Sequence, residues 1–203
     1  MIDQRQRMKK KYIVEFIGTF TLALLIVLSA NNSLMPTPLI AGLTLMLFVY
    51  LIGAISGSHI NPAVTIGLLS IKKISAEESQ KYIVSQVLGG FTALALVSVS
   101  GFAVSSPGAI RMELYFFEFL GMVLFTFGIG FIVFNKINSA FDGVIIGLSL
   151  LLGILISVYG GAAGILNPAV GIALKTTFIE YYIVQFLGGV SGFQLAKYIY
   201  NSK

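Results

Sequence analysis

Apolar residues run in long blocks along this chain, separated by short polar clusters. The blocks fall at about 12–30, 38–55, 82–104, 113–134, 142–159 and 178–200. Each approaches the roughly 20 residues that a helix needs to cross a hydrocarbon layer about 30 Å thick. Two further apolar pieces, at about 62–70 and 168–174, are too short to cross, and each follows an Asn-Pro pair. Proline fits the first turn of a helix, where its missing N–H costs nothing, so each short piece predicts a helix that starts inside the apolar layer. Irregular backbone must lead into it, and a membrane tolerates that only where protein or a wet cavity surrounds it. The pattern predicts an all-α membrane protein of six transmembrane helices and two re-entrant half-helices.

The composition agrees. Of 203 residues, 57% are hydrophobic and 10% charged, and the mean hydropathy is +0.93; a soluble domain carries about 25% charged residues. Six spans use up the chain, so residues 1–203 read as one transmembrane domain with no room for a soluble one. The first block is full length and lacks a small-residue cleavage site, so it reads as a span and not as a signal peptide. There is no Cys, which excludes disulfides and thiolate metal sites. The net charge of +5 calls for no nucleic-acid partner, because the distribution of the basic residues accounts for it. Arg5, Arg7, Lys9, Lys10, Lys11, Lys72, Lys73, Lys81, Lys136, Lys197 and Lys203 fall on one face of a six-span protein, and Arg111 and Lys175 on the other. Eleven against two predicts that both termini are cytoplasmic; the run from Arg5 to Lys11 is also placed to meet anionic lipid.

The two halves repeat each other. Glu15-Phe-Ile-Gly18 matches Glu118-Phe-Leu-Gly121, Ala41-Gly-Leu-Thr44 matches Ile146-Gly-Leu-Ser149, Asn61-Pro-Ala-Val64 matches Asn167-Pro-Ala-Val170, and Gln86-Val-Leu-Gly-Gly90 matches Gln185-Phe-Leu-Gly-Gly189. The landmarks keep their order, with repeat 1 at about 12–104 and repeat 2 at about 113–200. Each repeat holds three spans, an odd number, so the second is inverted in the membrane and the half-helices enter from opposite faces to meet near the middle. Paired broken helices of this kind mark a channel or carrier with its site at the midplane.

The chemistry expected there follows from helix ends. Each half-helix start has N–H groups without intrahelical partners and the positive end of a dipole. Asn61 and Asn167 cap the starts and offer amides to a passing molecule, while Pro62, Ala63, Pro168 and Ala169 complete the two motifs. A neutral permeant gains hydrogen bonds there; a cation meets a positive field and loses hydration. The irregular segments Gly57, Ser58, His59, Ile60 and Ala163, Gly164, Ile165, Leu166 present carbonyls in a line, with glycine at 57, 161 and 164 where backbone must turn or approach closely. Glu15 and Glu118 are intramembrane acids. Such groups suggest a proton or ion path, but their symmetric placement favours support of the irregular loops by accepting backbone N–H bonds. The pairs Gly53xxxGly57 and Gly143xxxGly147, with Gly89-Gly90 and Gly188-Gly189, predict close helix packing. His59 is the only histidine and has no companions for a metal site.

These residues resemble the aquaporin and glycerol-facilitator family (the major intrinsic proteins) over nearly the whole chain. The segment Ser56-Gly-Ser-His-Ile-Asn-Pro-Ala-Val-Thr65 is close to that family's first loop, and Gly161-Ala-Ala-Gly-Ile-Leu-Asn-Pro-Ala169 follows its second. The resemblance implies a passive channel, His59 at the cytoplasmic mouth of the pore, and a homotetramer with one pore per subunit. It also maps a four-residue constriction onto Ala41, Leu155, Gly164 and Val170. Most members of the family carry Arg after the second Asn-Pro-Ala, and the glycerol-facilitator branch follows it with Asp; here Val170 and Gly171 stand there. The constriction is therefore expected to be wide and apolar, with loose selection by size.

The resulting expectation is a passive channel in a cell membrane for water or small uncharged solutes such as glycerol, urea, ammonia, gases or neutral metalloid acids. Its partners are the lipid bilayer and the solutes, and no cofactor is called for. The alternatives are an ion- or proton-coupled carrier on the same repeat and a non-conducting structural membrane protein. No nucleophile–base pair or metal cluster suggests an enzyme.

Overall fold

A computed structural model describes residues 4–30, 34–104, 106–108, 110–135 and 139–200, with side chains from Lys9 onward. Lys136, Lys203 and the side chains of Arg5 and Arg7, which entered the charge count, lie outside the described residues. The chain forms helices α1 (Gln4–Ala30), α2 (Thr37–Ser56), α3 (Pro62–Ser70), α4 (Ala76–Val99), α5 (Tyr115–Asn135), α6 (Asp142–Tyr159), α7 (Pro168–Ala173) and α8 (Ile179–Tyr200). Single 3-10 turns precede α5 and α6, and there is no strand among the described residues. This is the architecture that lipid demands, because helices satisfy their own backbone.

Five of these helices are long and apolar enough to cross a membrane. The sixth, α8, has 22 residues, hence about 33 Å of length, but Glu180, Gln185, Gln194 and Lys197 lower its hydropathy. Its Gln185 and Gln194 side chains bond to protein partners. The start of α4 precedes the expected boundary at 82. Ser75 caps it by accepting from the Glu78 N–H at 3.1 Å, and Glu77 and Glu78 in its first turn suit the helix dipole. That polar first turn hides the helix from an apolar pattern.

Packing follows the repeat. Helix α1 lies against α2 and α4, as α5 lies against α6 and α8; α2 meets α6 across the middle. The half-helices cross over, α3 packing on α8 and α7 on α4, so each half of the chain holds the other's short helix. Glycine makes these approaches possible. A Cβ at Gly90 would stand 2.3 Å from the Ala169 carbonyl oxygen, and one at Gly189 would stand 2.6 Å from that of Ala63. The crossing of α2 and α6 is equally bare, with Gly42 against the Gly147 carbonyl and Gly147 against that of Gly42. Gly53 differs from the packing role expected of it: a Cβ there would meet only Val49, at 3.9 Å. It borders a vestibule of about 740 Å³ instead of a helix. Leu47, Leu51, Leu88, Phe91, Ile183 and Leu187 point outward, exposed as a lipid-facing surface requires.

Candidate functional site

The site is built by two carboxylates under two loops. Glu15 of α1, fully buried, accepts four hydrogen bonds: from Ser56 Oγ at 2.7 Å, the His59 N–H at 2.9 Å, the Ile60 N–H at 2.7 Å and Gln86 Nε2 at 2.8 Å. Glu118 of α5 repeats the arrangement with Ser157 Oγ at 2.5 Å, the Gly164 N–H at 2.9 Å, the Leu166 N–H at 2.7 Å and Gln185 Nε2 at 3.1 Å. Four donors fill the acceptor sites of each carboxylate. Neither borders the cavities described below.

The loops need that support. Ser58, Ile60 and Leu166 adopt φ of 52°, 38° and 48°, in the left-handed region that side chains disfavour by roughly 1–2 kcal/mol each. Gly57 ends α2 at φ 89°, and its N–H reaches the Gly53 carbonyl at 2.9 Å. The halves differ beside the two glutamines. Thr65 on α3 hydrogen-bonds Gln86 at 3.0 Å and lies 3.1 Å from His59 Nδ1. The matching residue on α7 is Gly171, and Gln185 Oε1 finds no hydrogen-bond partner among the described residues.

At the centre the two asparagines interlock. Asn61 Oδ1 accepts from the Ala63 N–H at 2.8 Å, capping α3, while its Nδ2 donates to the Leu166 carbonyl at 2.8 Å. Asn167 caps α7 through the Ala169 N–H at 3.0 Å, and its Nδ2 donates to the Ile60 carbonyl at 3.0 Å. Each cap therefore also staples its half-helix to the opposite loop. An amide nitrogen carries two N–H bonds, so each asparagine keeps one for a guest.

Beside this pair is a throat with about 10 Å³ open to the centre of a water molecule, room for about one water. A vestibule of about 740 Å³ adjoins it, bordered by Tyr50, Gly53, Lys73 and Asp142 among others. Leu45, His59 and Phe125 border both spaces. Lys73 stands 5.0 Å from the Phe134 ring centre, and Tyr50 Oη donates to the Ala140 carbonyl at 2.8 Å, tying the loop before α6 to α2.

Of the residues singled out in the sequence, Asn61, Asn167, Ile60, Ile165 and Val170 border the throat, and Gly57, Ser58 and His59 the vestibule. Pro62 and Pro168 are the first residues of their helices. Leu166 is buried against the faces of Gly121 and Gly153, and Ala163 is half-buried. Val170 is the constriction residue that borders the throat; Ala41 is buried in the core, Leu155 is half-buried, and Gly164 lies against Ile154 and Val158. Helix α6 turns Leu150 and Ile154 to the throat instead.

Leu22, Ile26, Leu45 and Phe125 also line it and were missed in the sequence. A signal was present: Leu22 and Phe125 each follow a glutamate by seven residues, two turns up the same helix face.

The family model for the major intrinsic proteins matches residues 3–115. Aquaporin AqpM of Methanothermobacter marburgensis is 30% identical, over 95% of this chain and 96% of its own. The glycerol uptake facilitator protein-like 6 of Lactiplantibacillus plantarum is 33% identical, over 79% and 80%. Among solved structures, the X-ray structure of the aquaglyceroporin from Plasmodium falciparum superposes with a TM-score of 0.74 over 96% of both chains at 23% identity, a likeness of fold.

Proposed function

The chain belongs to the major intrinsic protein family and is a non-enzymatic, passive membrane channel for water and small solutes; from that premise, we propose that small uncharged molecules pass Asn61 and Asn167 while ions and protons are turned away. The observation that carries the proposal is the crossed pair of capping amides. It joins the starts of α3 and α7 at one point and leaves one N–H of each asparagine for the permeant. The aligned peptides of a helix are equivalent to about half a positive charge at its N-terminus, and α3 and α7 present two such ends to the same spot. A cation there loses water without replacement, and a proton wire would have to cross a positive field.

Saturation of Glu15 and Glu118 by four donors each weighs against the coupled-carrier alternative, which needs a titratable group in the permeant's path. Val170 belongs to the same proposal: with Ala41, Leu155 and Gly164 it leaves the outer constriction without a fixed charge, and cation rejection rests on the central pair. Cytoplasmic termini, a cell-membrane location and a homotetramer complete the reading. The first rests on the basic residues and the last on the family resemblance; protease protection in oriented vesicles and native mass spectrometry test them.

Stopped-flow light scattering on proteoliposomes, run with a panel of neutral solutes and with sodium and proton gradients, tests the proposal. Flux of at least one neutral solute above protein-free liposomes, with no ion leak, is expected. Ion leak, or no flux from folded protein, overturns it.

A further inference from the structure

The passage narrows at one place between the cavities described above. It is where the 740 Å³ vestibule closes to the 10 Å³ throat, and Phe125, Leu45 and His59 stand at that junction. Phe125 is 1% exposed and, after the two tyrosines Tyr82 and Tyr181, is the largest fully buried side chain. Its counterpart in the first half is Leu22, so the repeat places a phenyl ring on one side of a wall whose other members are aliphatic side chains, His59 and the two asparagines.

The polar groups there are few. Asn61 and Asn167 each retain one donor, and the carbonyls of Ile60 and Leu166 each accept one hydrogen bond from them and keep one lone pair. His59 Nδ1 is engaged with Thr65. The throat thus offers a handful of polar groups in a wall that is otherwise apolar. A molecule with few polar groups loses little on entering; a polyol must strip several hydroxyl groups of water at once, more than these few partners satisfy, against leucine, isoleucine and phenylalanine. Size acts in the same direction, because space for about one water does not admit a three-carbon chain beside the ring.

Building on the channel reading above, we propose that Phe125 is a specificity-determining residue and that the throat selects compact neutral molecules with few polar groups, with ammonia as the probe, over polyols such as glycerol. The relatives' names include glycerol facilitators, yet this wall is closed to glycerol by Phe125.

The test uses full-length protein in liposomes, with ammonia entry read by an internal pH dye and glycerol entry by light scattering. Wild type is expected to carry ammonia above the lipid background and glycerol at background. Phe125→Ala is expected to raise glycerol flux at least about tenfold while ammonia flux changes by less than about threefold, as for a hydrophobic constriction removed. Phe125→Leu, which keeps an apolar side chain and copies the first half, serves if the alanine variant does not fold, and is expected to shift glycerol flux in the same direction. Wild-type glycerol flux equal to that of folded Phe125→Ala or Phe125→Leu overturns the inference but leaves the channel reading intact. Flux of neither probe from folded wild type and variants overturns the inference, and the channel reading falls with it only if water flux is also at the lipid background.

Discussion

Replacing either buried glutamate by glutamine removes one negative charge without changing shape, and the structure predicts unequal outcomes. In each cradle the new amide nitrogen must face two groups that now donate. At Glu118 it can face Ser157, whose hydroxyl turns to accept, and the Gly164 N–H keeps its second partner, Ser157 Oγ at 3.0 Å. No backbone donor is orphaned. At Glu15, facing Ser56 strands the His59 N–H, and facing Gln86 strands the Ile60 N–H. In both variants the surviving bonds lose charge assistance, worth about 1 kcal/mol each. Glu15→Gln adds a buried, unsatisfied N–H, at about 1–3 kcal/mol. Glu15→Gln should therefore be the less stable of the two by about 2 kcal/mol, a melting difference of roughly 4–8 °C for a chain of this size. Loss of helical circular dichroism on heating in detergent measures it, with neutral-solute flux as the functional readout. Equal melting temperatures, or a lower one for Glu118→Gln, would refute the reasoning, since the asymmetry rests on the single contact between Gly164 and Ser157.

Three further outcomes follow from contacts already described. Gly90→Ala and Gly189→Ala place a methyl against the carbonyls of Ala169 and Ala63 and should each cost about 1–3 kcal/mol by overpacking; Gly53→Ala, which meets only Val49 at 3.9 Å, should melt within about 0.5 kcal/mol of wild type. Gly171→Thr supplies the hydroxyl that Thr65 gives the other half, its Cβ 3.3 Å from the Tyr182 ring, and should stabilise by about 1 kcal/mol through Gln185 Oε1; a lowered melting temperature would show that Tyr182 cannot give way. Val170→Arg puts a charge beside a throat already facing two positive helix ends and should change the ratio of water to ammonia flux in liposomes; an unchanged ratio would place residue 170 outside the permeation path.

Much of this was legible in the chain because its signals are local. A helix that starts at Asn-Pro announces itself through capping chemistry that needs no tertiary context, and α3 and α7 begin at Pro62 and Pro168 as expected. The loop-supporting reading of Glu15 and Glu118 came from symmetry alone; in the structure each carboxylate accepts two backbone N–H bonds from its loop. The throat was a different matter. An amphipathic helix declares which face points inward through its period, but helices apolar all round, as α2, α5 and α6 are, carry no such stripe. The throat takes Ile154 of α6, with its neighbour Leu155 half-buried beside it; nothing in the order of residues tells which of the two faces the throat.

The sequence by itself determined that this protein lives in lipid, that its halves are inverted copies, and that two short helices start in the apolar layer, because burial of backbone without water admits few solutions. Only the tertiary structure decided which side chains close the passage, that each asparagine binds the opposite loop, and that the second half lacks a hydroxyl the first half uses. Those depend on helix rotation and on contacts between residues more than a hundred positions apart, where a shift of one residue in facing exchanges a core side chain for one at the pore.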